Sequence, residues 1–394
     1  MKEILINKKE GTKQILLLED GNLVEKYEEN EKISRIEGNI YIGKVENILQ
    51  GMQSAFVDIG QNKNTFIHLK DILPKVDIKE YKQSENKKIK EIVKSGMPLL
   101  VQVKRDFTKS KGAKVSTHIS INSRFIVFMP ETTIITLSQK IQNEEEKERL
   151  TNIAKKYLPE NCGAIIRTAA ENQSEEVIKR DIEIAFEKWN NIYRLYKENV
   201  NKNNFPKIIY KSHNVIKKLL IDLIDKDLQK VTVNTDEDYE YLNKILKEFN
   251  AKDTKLVKEK SDFMKEKIIL KEQIEKSERR KVWLKCGGFI TIDKTEALTA
   301  IDVNSGKYTG IDNVESTIFK VNKEASIEIA KQLKLRDIGG IVIIDYIDMQ
   351  LEESKEKIIN LLTEELKKDR TKTQVVGFSK LNLLELTRKH ICGN

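Results

Sequence analysis

The sequence predicts a multidomain chain that mixes α+β and α/β architecture, and three observations carry that reading. The chain has 394 residues, more than one folding unit usually takes and ample for several cores. From Arg35 onward, short strand-like runs alternate with Gly-, Asn- and Lys-rich turns, the texture of a small closed β-barrel. Near the C-terminus the pattern becomes strand, helix, strand with a continuous apolar second strand, which predicts a parallel pair packed under its crossover helix.

Taken in order, "EILIN" and "KQILLLED" read as strands, with a turn at "DGN" before a third, "LVEKYEE". "NIYIGKVENIL", "QSAFVDIG", "NTFIHLKDI", "PLLVQVKRD" and "KVSTHISI" follow. These short strands over about 85 residues match a barrel such as an OB-fold. A polar insert at 74–96 interrupts them as a loop or a solvated helix. "RFIVFMP" is then a strand, "NEEEKERLTNIAKKYL" a helix and "GAIIRTA" a buried strand. Ser174 is placed as an N-cap with Glu175 and Glu176 in the first turn. Behind it, Ile178, Ile182, Ala185, Trp189, Ile192 and Tyr196 form one apolar stripe at helical spacing. Residues 205–275 alternate helix and strand, with "KVTVN" a strand. The last unit starts near Lys281, with strands "GFITID" and "ALTAIDVN", a helix from Ser316 to Leu335, and strand "GIVIIDYI". Ile318, Val321, Ala325, Ile329 and Leu333 line that helix, and Gly339 with Gly340 is expected to end it.

Hydrophobic residues make up 39% and charged residues 34% of the chain, so it is globular and heavily solvated. Lys plus Arg number 71 against 62 acidic residues, a net charge of +9, which favours a polyanionic partner or simply aids solubility. Cys162, Cys286 and Cys392 are far apart and odd in number, which argues for a reducing compartment. His68, His118, His213 and His390 show no ligand spacing with them. "MKEILINKKE" lacks an apolar leader core, and nowhere do 18 apolar residues run together. The expectation is a soluble cytoplasmic protein with no membrane partner.

The stretch "LTAIDVNSGKYTG", residues 298–310, carries the chemistry. Asp302 and Asn304 lie two apart, on the same side of a strand. An Asx-turn explains them alone. The parallel pair shifts the balance, because Asp302 and Asp345 then both stand at the carboxyl ends of strands, where α/β sheets gather ligands. Two carboxylates converging there repel unless a cation or a proton sits between them. Magnesium, which takes few protein carboxylates and keeps several waters, fits such a pair.

These residues, with "EIAKQLKLRDIGGIVIIDYIDM", "GKVENILQGMQSAFVDIG", "FIHL", "FIVFMP" and "GAIIRTA", resemble the RNase E/G family of endoribonucleases along nearly the whole chain. The resemblance implies an RNase H-like subdomain (1–34 and 213–275) split around an inserted OB-fold (35–118) and a 5′-end sensor region (119–212). A DNase I-like catalytic subdomain (276–394) follows. It also implies hydrolysis of single-stranded RNA to 5′-monophosphate and 3′-hydroxyl ends, in rRNA processing and mRNA turnover. Asp302 and Asp345 take the family's Mg²⁺-binding positions, and Asn304 the position that orients the scissile phosphate or the attacking water. Phe56, Phe66 and Lys111 fall at its RNA contacts. Val127, Arg167 and Thr168 match its 5′-monophosphate pocket.

The chain also departs from the family. Gln139 and Lys140 stand where an Arg pair is common, and Lys372 replaces a further Arg of the pocket, keeping charge but losing the planar fork. The C-terminus "RKHICGN" does not carry the CPxC-type zinc link that joins protomers in the family, so either the chain is truncated or a homo-oligomer, such as a dimer, forms without zinc. The compact RNase G type is the nearer match. Taken without the resemblance, Phe56 and Phe66 read as barrel core, Arg167 as a strand-end side chain reaching solvent, and Asp348 as a solvated or capping residue. The alternative functions are a non-catalytic RNA-binding protein of the same fold and a DNA nuclease.

Overall fold

The computed structural model describes residues 1–30, 35–72, 88–107, 112–212, 215–224, 228–249, 251, 253–260, 264, 267–306 and 314–391. It is a mixed α and β structure, with four sheets and eight helices among these residues. Met1–Ser34 and Leu223–Asn394 make one compact unit, and Arg35–Asp222 makes the other.

The first unit opens on a meander, β1 (Lys2–Lys9), β2 (Thr12–Glu19) and β3 (Asn22–Asn30). Its two-residue turns, Glu10-Gly11 and Asp20-Gly21, hold positive φ at both positions. That is the backbone twist a tight antiparallel hairpin needs and the reason for each glycine.

The second unit begins with the barrel: β4 (Ile40–Leu49), β5 (Ser54–Asp58), β6 (Thr65–His68), β7 (Pro98–Arg105) and β8 (Lys114–Ser116). The order is β4-β5-β6-β8-β7, and β7 closes back on β4 from Ile40↔Gln102 to Lys44↔Pro98. Closure removes the sheet edge and turns alternate side chains inward, so Val45, Ala55, Val57, Ile67, Val101, Val103 and Val115 form the barrel core. Of the polar insert, residues 73–87 lie outside the described residues. Its described end is a helical turn, α1 (Ile89–Ile92), that buries Ile89 in the barrel core and so is not solvated on all sides.

A four-stranded sheet comes next, ordered β11-β12-β10-β9 from β9 (Ile121–Asn122), β10 (Ile126–Pro130), β11 (Ile135–Leu137) and β12 (Cys162–Ile166). Against it pack α2 (Glu144–Tyr157) and α3 (Glu175–Asn201), which bury Leu150, Ile153, Ile178, Ile182, Ala185, Trp189 and Ile192. Ser174 holds the N-cap backbone of α3, but its hydroxyl makes no capping bond. The first-turn acids Glu175 and Glu176 supply the favourable charge instead. β13 (Lys207–Tyr210) pairs with β4, and α4 (Val215–Leu223) follows.

Back in the first unit, β14 (Leu228–Val233), α5 (Asp236–Glu248), β15 (Lys255–Lys258) and α6 (Ile268–Glu278) extend the meander to the order β15-β14-β1-β2-β3, with β14 parallel to β1. The last sheet runs β16-β17-β18-β19-β21-β20. Its elements are β16 (Lys281–Trp283), β17 (Phe289–Lys294), β18 (Leu298–Asn304), α7 (Val314–Leu335), β19 (Gly340–Asp345), α8 (Glu352–Lys367), β20 (Thr373–Phe378) and β21 (Leu383–Arg388). One face buries Ile301, Val303, Val342, Ile344, Leu384 and Leu386 against Val321, Ala325, Ile329 and Leu333 of α7 and Ile358, Leu362 and Leu366 of α8. The first sheet packs Leu5, Leu16, Leu18 and Leu23 against Leu270 of α6 and Leu335 of α7.

Helix α7 does not end at the glycine pair. The left-handed residue is Asp337 (φ 46°), and Ile338 N donates back to Leu333 O at 2.9 Å. The Asp337 carboxylate is held by Arg388 Nη1 at 3.0 Å and by the Ile391 amide at 3.0 Å. Gly339 serves close packing, because a Cβ there would stand 2.7 Å from the His390 ring. The Arg388 guanidinium is fully buried between Asp337 and Asp369. Replacing it strands two buried carboxylates, so Arg388→Met is expected to destabilise the fold by about 3–5 kcal/mol, read as a lower urea midpoint at unchanged slope.

Candidate active site

The sequence "ALTAIDVN" alternates so that Thr299, Ile301 and Val303 face the helices while Ala300, Asp302 and Asn304 face outward. β19 alternates likewise, burying Val342 and Ile344 and exposing Asp345. The two strands are parallel, and Asp302 and Asp345 are direct register partners. Neighbouring strands lie about 4.8 Å apart, so the two carboxylates leave adjacent backbones side by side on one face. Asn304 Nδ2 donates to Asp302 Oδ2 at 2.5 Å, which fixes that carboxylate's rotamer. Partial burial pushes the Asp345 carboxyl above its ordinary pKa, and the charges of Asp302 and then Asp348 add to the rise.

The backbone around this pair is held from behind by α7. Asn322, fully buried, donates from Nδ2 to Ile347 O at 2.8 Å and accepts from Ile347 N at 3.2 Å. One turn on, Ser326 Oγ meets the buried Tyr346 hydroxyl at 2.7 Å. Glu315 accepts from the Gln350 and Leu351 amides, each at 3.3 Å. The segment that leaves Asp345 is therefore tied to the helix at three points. On the other side, Gly306 (φ 60°) lies so close to the turn before β17 that a Cβ would stand 2.5 Å from Gly287 O, and one on Gly288 would stand 2.8 Å from Asn304 O. Those glycines let the end of β18 seat against the turn.

The donor set is all oxygen, two carboxylates with a side-chain amide beside them, which suits a hard cation that keeps most of its waters. Among the described residues, no group of three or more His, Cys, Asp or Glu is arranged to hold a metal. His390 packs inward, its Nδ1 3.1 Å from Asp337 O, and Cys392 lies outside the described residues. Among the described residues, no helix is long and apolar enough to cross a membrane.

The remaining candidate residues divide between the two units. Phe56 and Phe66 are register partners on β5 and β6, with ring centroids 6.3 Å apart in an edge-to-face arrangement. Their neighbours Ala55, Val57 and Ile67 fill the barrel, so both rings stand on its outer face, half-exposed. Reading them as core is corrected. Lys111 lies outside the described residues.

Val127 pairs with Ile165 in the four-stranded sheet, and Arg167 and Thr168 follow directly from β12. Arg167 Nη1 donates to Ser123 O at 3.1 Å, Nη2 pairs with Asp222, and the backbone N donates to Phe125 O. Buried Asp181 holds this loop, accepting from Ser123 Oγ at 2.5 Å and Phe125 N at 2.8 Å. Thr168 Oγ1 donates to Ser138 Oγ at 3.0 Å. Lys372 is exposed just ahead of β20 in the other unit.

Two features escaped the sequence reading. Asn322 and Ser326, spaced by one helical turn beside the apolar stripe of α7, were the available signal for the buried polar contacts behind Asp345. Trp283 was the other, an aromatic in a short basic run, "RRKVWLK".

A family model described as the Ribonuclease E/G family matches residues 120–391. Ribonuclease G of Salmonella typhimurium strain SL1344 is 37% identical over 98% of this chain and 79% of its own length. Ribonuclease G of Haemophilus influenzae is 38% identical at the same coverages. A protein named putative ribonuclease E, from Buchnera aphidicola, is 35% identical over 99% of this chain and 95% of its own length. The chain belongs to the Ribonuclease E/G family.

Proposed function

We propose that this endoribonuclease hydrolyses phosphodiester bonds in single-stranded RNA with a divalent cation, Mg²⁺, held by Asp302 and Asp345. The observation that carries the reading is the register pairing of those two residues on one exposed face. Like charges on neighbouring strands cost energy, and a hard cation between them removes that cost. When bound, the cation supplies a water of lowered pKa and neutralises charge building on the phosphate. Asn304 orients the Asp302 carboxylate and offers its amide to the scissile phosphate or the attacking water. Asn322 and Glu315 hold the segment that follows Asp345 against rearrangement. Attack by water leaves 5′-monophosphate and 3′-hydroxyl ends.

The barrel in this reading is the RNA clamp. Phe56 and Phe66 offer outward rings on which unpaired bases stack, and Lys111 meets phosphate. Val127, Arg167 and Thr168 form a pocket for a 5′-monophosphate, where the guanidinium fork and the hydroxyl reach phosphate oxygens. Asp222 already pairs with Arg167, so an incoming phosphate competes with a carboxylate. Lys372, at a position where the family resemblance implies a further Arg, keeps the charge and lacks the planar fork. The subdomains are read as RNase H-like, OB-fold, 5′-sensor and DNase I-like, with rRNA precursors and mRNA as substrates.

Three outcomes test this. On a 5′-monophosphorylated A/U-rich strand with Mg²⁺, Asp302→Asn is expected to lower kcat by at least about 100-fold, since losing even an outer partner of a metal ligand costs 10- to 100-fold. Retained cutting rejects the site, and preference for duplex DNA favours a DNA nuclease. Phe56→Ala is expected to raise KM roughly 5- to 150-fold, the worth of one stacked base, with little change in kcat.

The sign for Asp345 follows from its raised pKa. A carboxyl that ionises less readily when folded costs stability once pH exceeds its folded value. That cost disappears below the unfolded value of about 3.9. In EDTA at neutral pH, Asp345→Asn is therefore expected to raise Tm, while Mg²⁺ raises Tm of the unaltered chain alone.

A further inference from the structure

The last sheet carries an aromatic and basic cluster on the same face as the carboxylate pair. Phe289 is the register partner of Asn304, and Trp283 is the register partner of Phe289. One rung over, Lys281 pairs with Thr291, Thr291 with Asp302, and Asp302 with Asp345. Opposed residues on paired strands share a face, so Trp283, Phe289, Lys281 and both carboxylates all project to one side. The burial pattern agrees, because Val282, Ile290 and Ile292 are the residues that pack toward the helices.

Trp283 is 63% exposed, which is costly for the largest apolar side chain, and its ring lies edge-on to Phe289 with centroids 5.4 Å apart. Lys281 Nζ sits 3.5 Å from the Phe289 centroid and 4.1 Å from that of Trp283. Both rings are thereby held in place and a positive charge stands at their side. Arg279 and Lys285 are exposed around the same short strand, while Arg280 is paired with Asp293. Aromatic faces bordered by cations, two strands or about 10 Å from Asp302, match what an unpaired nucleobase and its phosphate require.

Resting on the reading of Asp302 and Asp345 given above, we propose that Trp283, steadied by Phe289 and Lys281, is a stacking platform for a base of single-stranded RNA next to the scissile linkage. Its place beside the reacting phosphate, on a sheet separate from the barrel, makes it a determinant of where the strand is cut as well as how tightly it is held. Stacking needs a π face and not a particular hydrogen-bond pattern, so Trp283→Phe preserves most of the effect and Trp283→Ala removes it.

The test uses the full chain with Mg²⁺ and a ten-nucleotide A/U-rich RNA bearing a 5′-monophosphate. Trp283→Ala is expected to raise KM roughly 5- to 150-fold with kcat nearly unchanged, and Trp283→Phe to restore most of the loss. Independently of turnover, iodide quenching in an Asp302→Asn background reads the exposed Trp283 and not the buried Trp189. Saturating RNA is expected to protect that fluorescence. An unchanged KM for Trp283→Ala, or quenching indifferent to RNA, overturns the platform. A loss of native mass in Trp283→Ala with RNA affinity intact also overturns it, by assigning the face to a second copy of the chain. Cutting that survives Asp302→Asn sinks the active-site reading itself. Failure of the Trp283 arm alone leaves that reading standing.

Discussion

The constraint on which the rest of the structure turns is the parallel pairing of β18 with β19, which sets two acidic side chains opposite each other on neighbouring strands. Sheet geometry allows them no escape. A carboxylate cannot swing to the far face without turning its strand over, and the far face is filled by Ile301, Val303, Val342 and Ile344 packed on α7 and α8. The repulsion is thus built into the fold and maintained by its core. Like charges directly opposite on paired strands destabilise a sheet.

What surrounds the pair serves to keep it in place. Asn322 spends both ends of its amide on Ile347, Ser326 takes up the Tyr346 hydroxyl, and Glu315 receives two loop amides. These contacts come from one helix face, so the helix that buries the sheet also fixes the loop beyond Asp345. The glycines at 287, 288 and 306 do the corresponding work for β18 by letting two loops approach within contact distance. The second unit follows the same logic, with Asp181 holding the backbone from which Arg167 is aimed. In both units a buried polar side chain from a helix orders the loop that carries candidate site residues.

Much of this was legible in the chain. Period-two alternation in "ALTAIDVN" put Asp302 and Asn304 on one face, and the continuous apolar run "GIVIIDYI" marked the buried parallel partner that ends at Asp345. The stripe through Ile178, Ile182 and Ala185 marked α3 for the same reason, since burial selects residues by spacing. Where one pattern served two outcomes, sequence fell short. "SAFVDIG" alternates equally well with Phe56 inside or outside the barrel, and only closure of the five strands chose. The glycine pair at 339–340 looked like a helix stop, but Asp337 takes the left-handed position because Arg388 and the Ile391 amide bind its carboxylate. Such long-range partners leave no local mark. Trp283 leaves no such mark, because one aromatic in a three-residue strand carries no periodic signal.

Everything proposed for the site requires Asp302 and Asp345 to bind one divalent cation together. Crystals of the chain soaked in Mn²⁺ and measured at the manganese absorption edge locate such an ion directly. One strong anomalous peak beside the two carboxylates is expected, lost in Asp302→Asn and in Asp345→Asn. A peak elsewhere that survives both substitutions, or none near either carboxylate in a soak that still supports RNA cleavage, would contradict it.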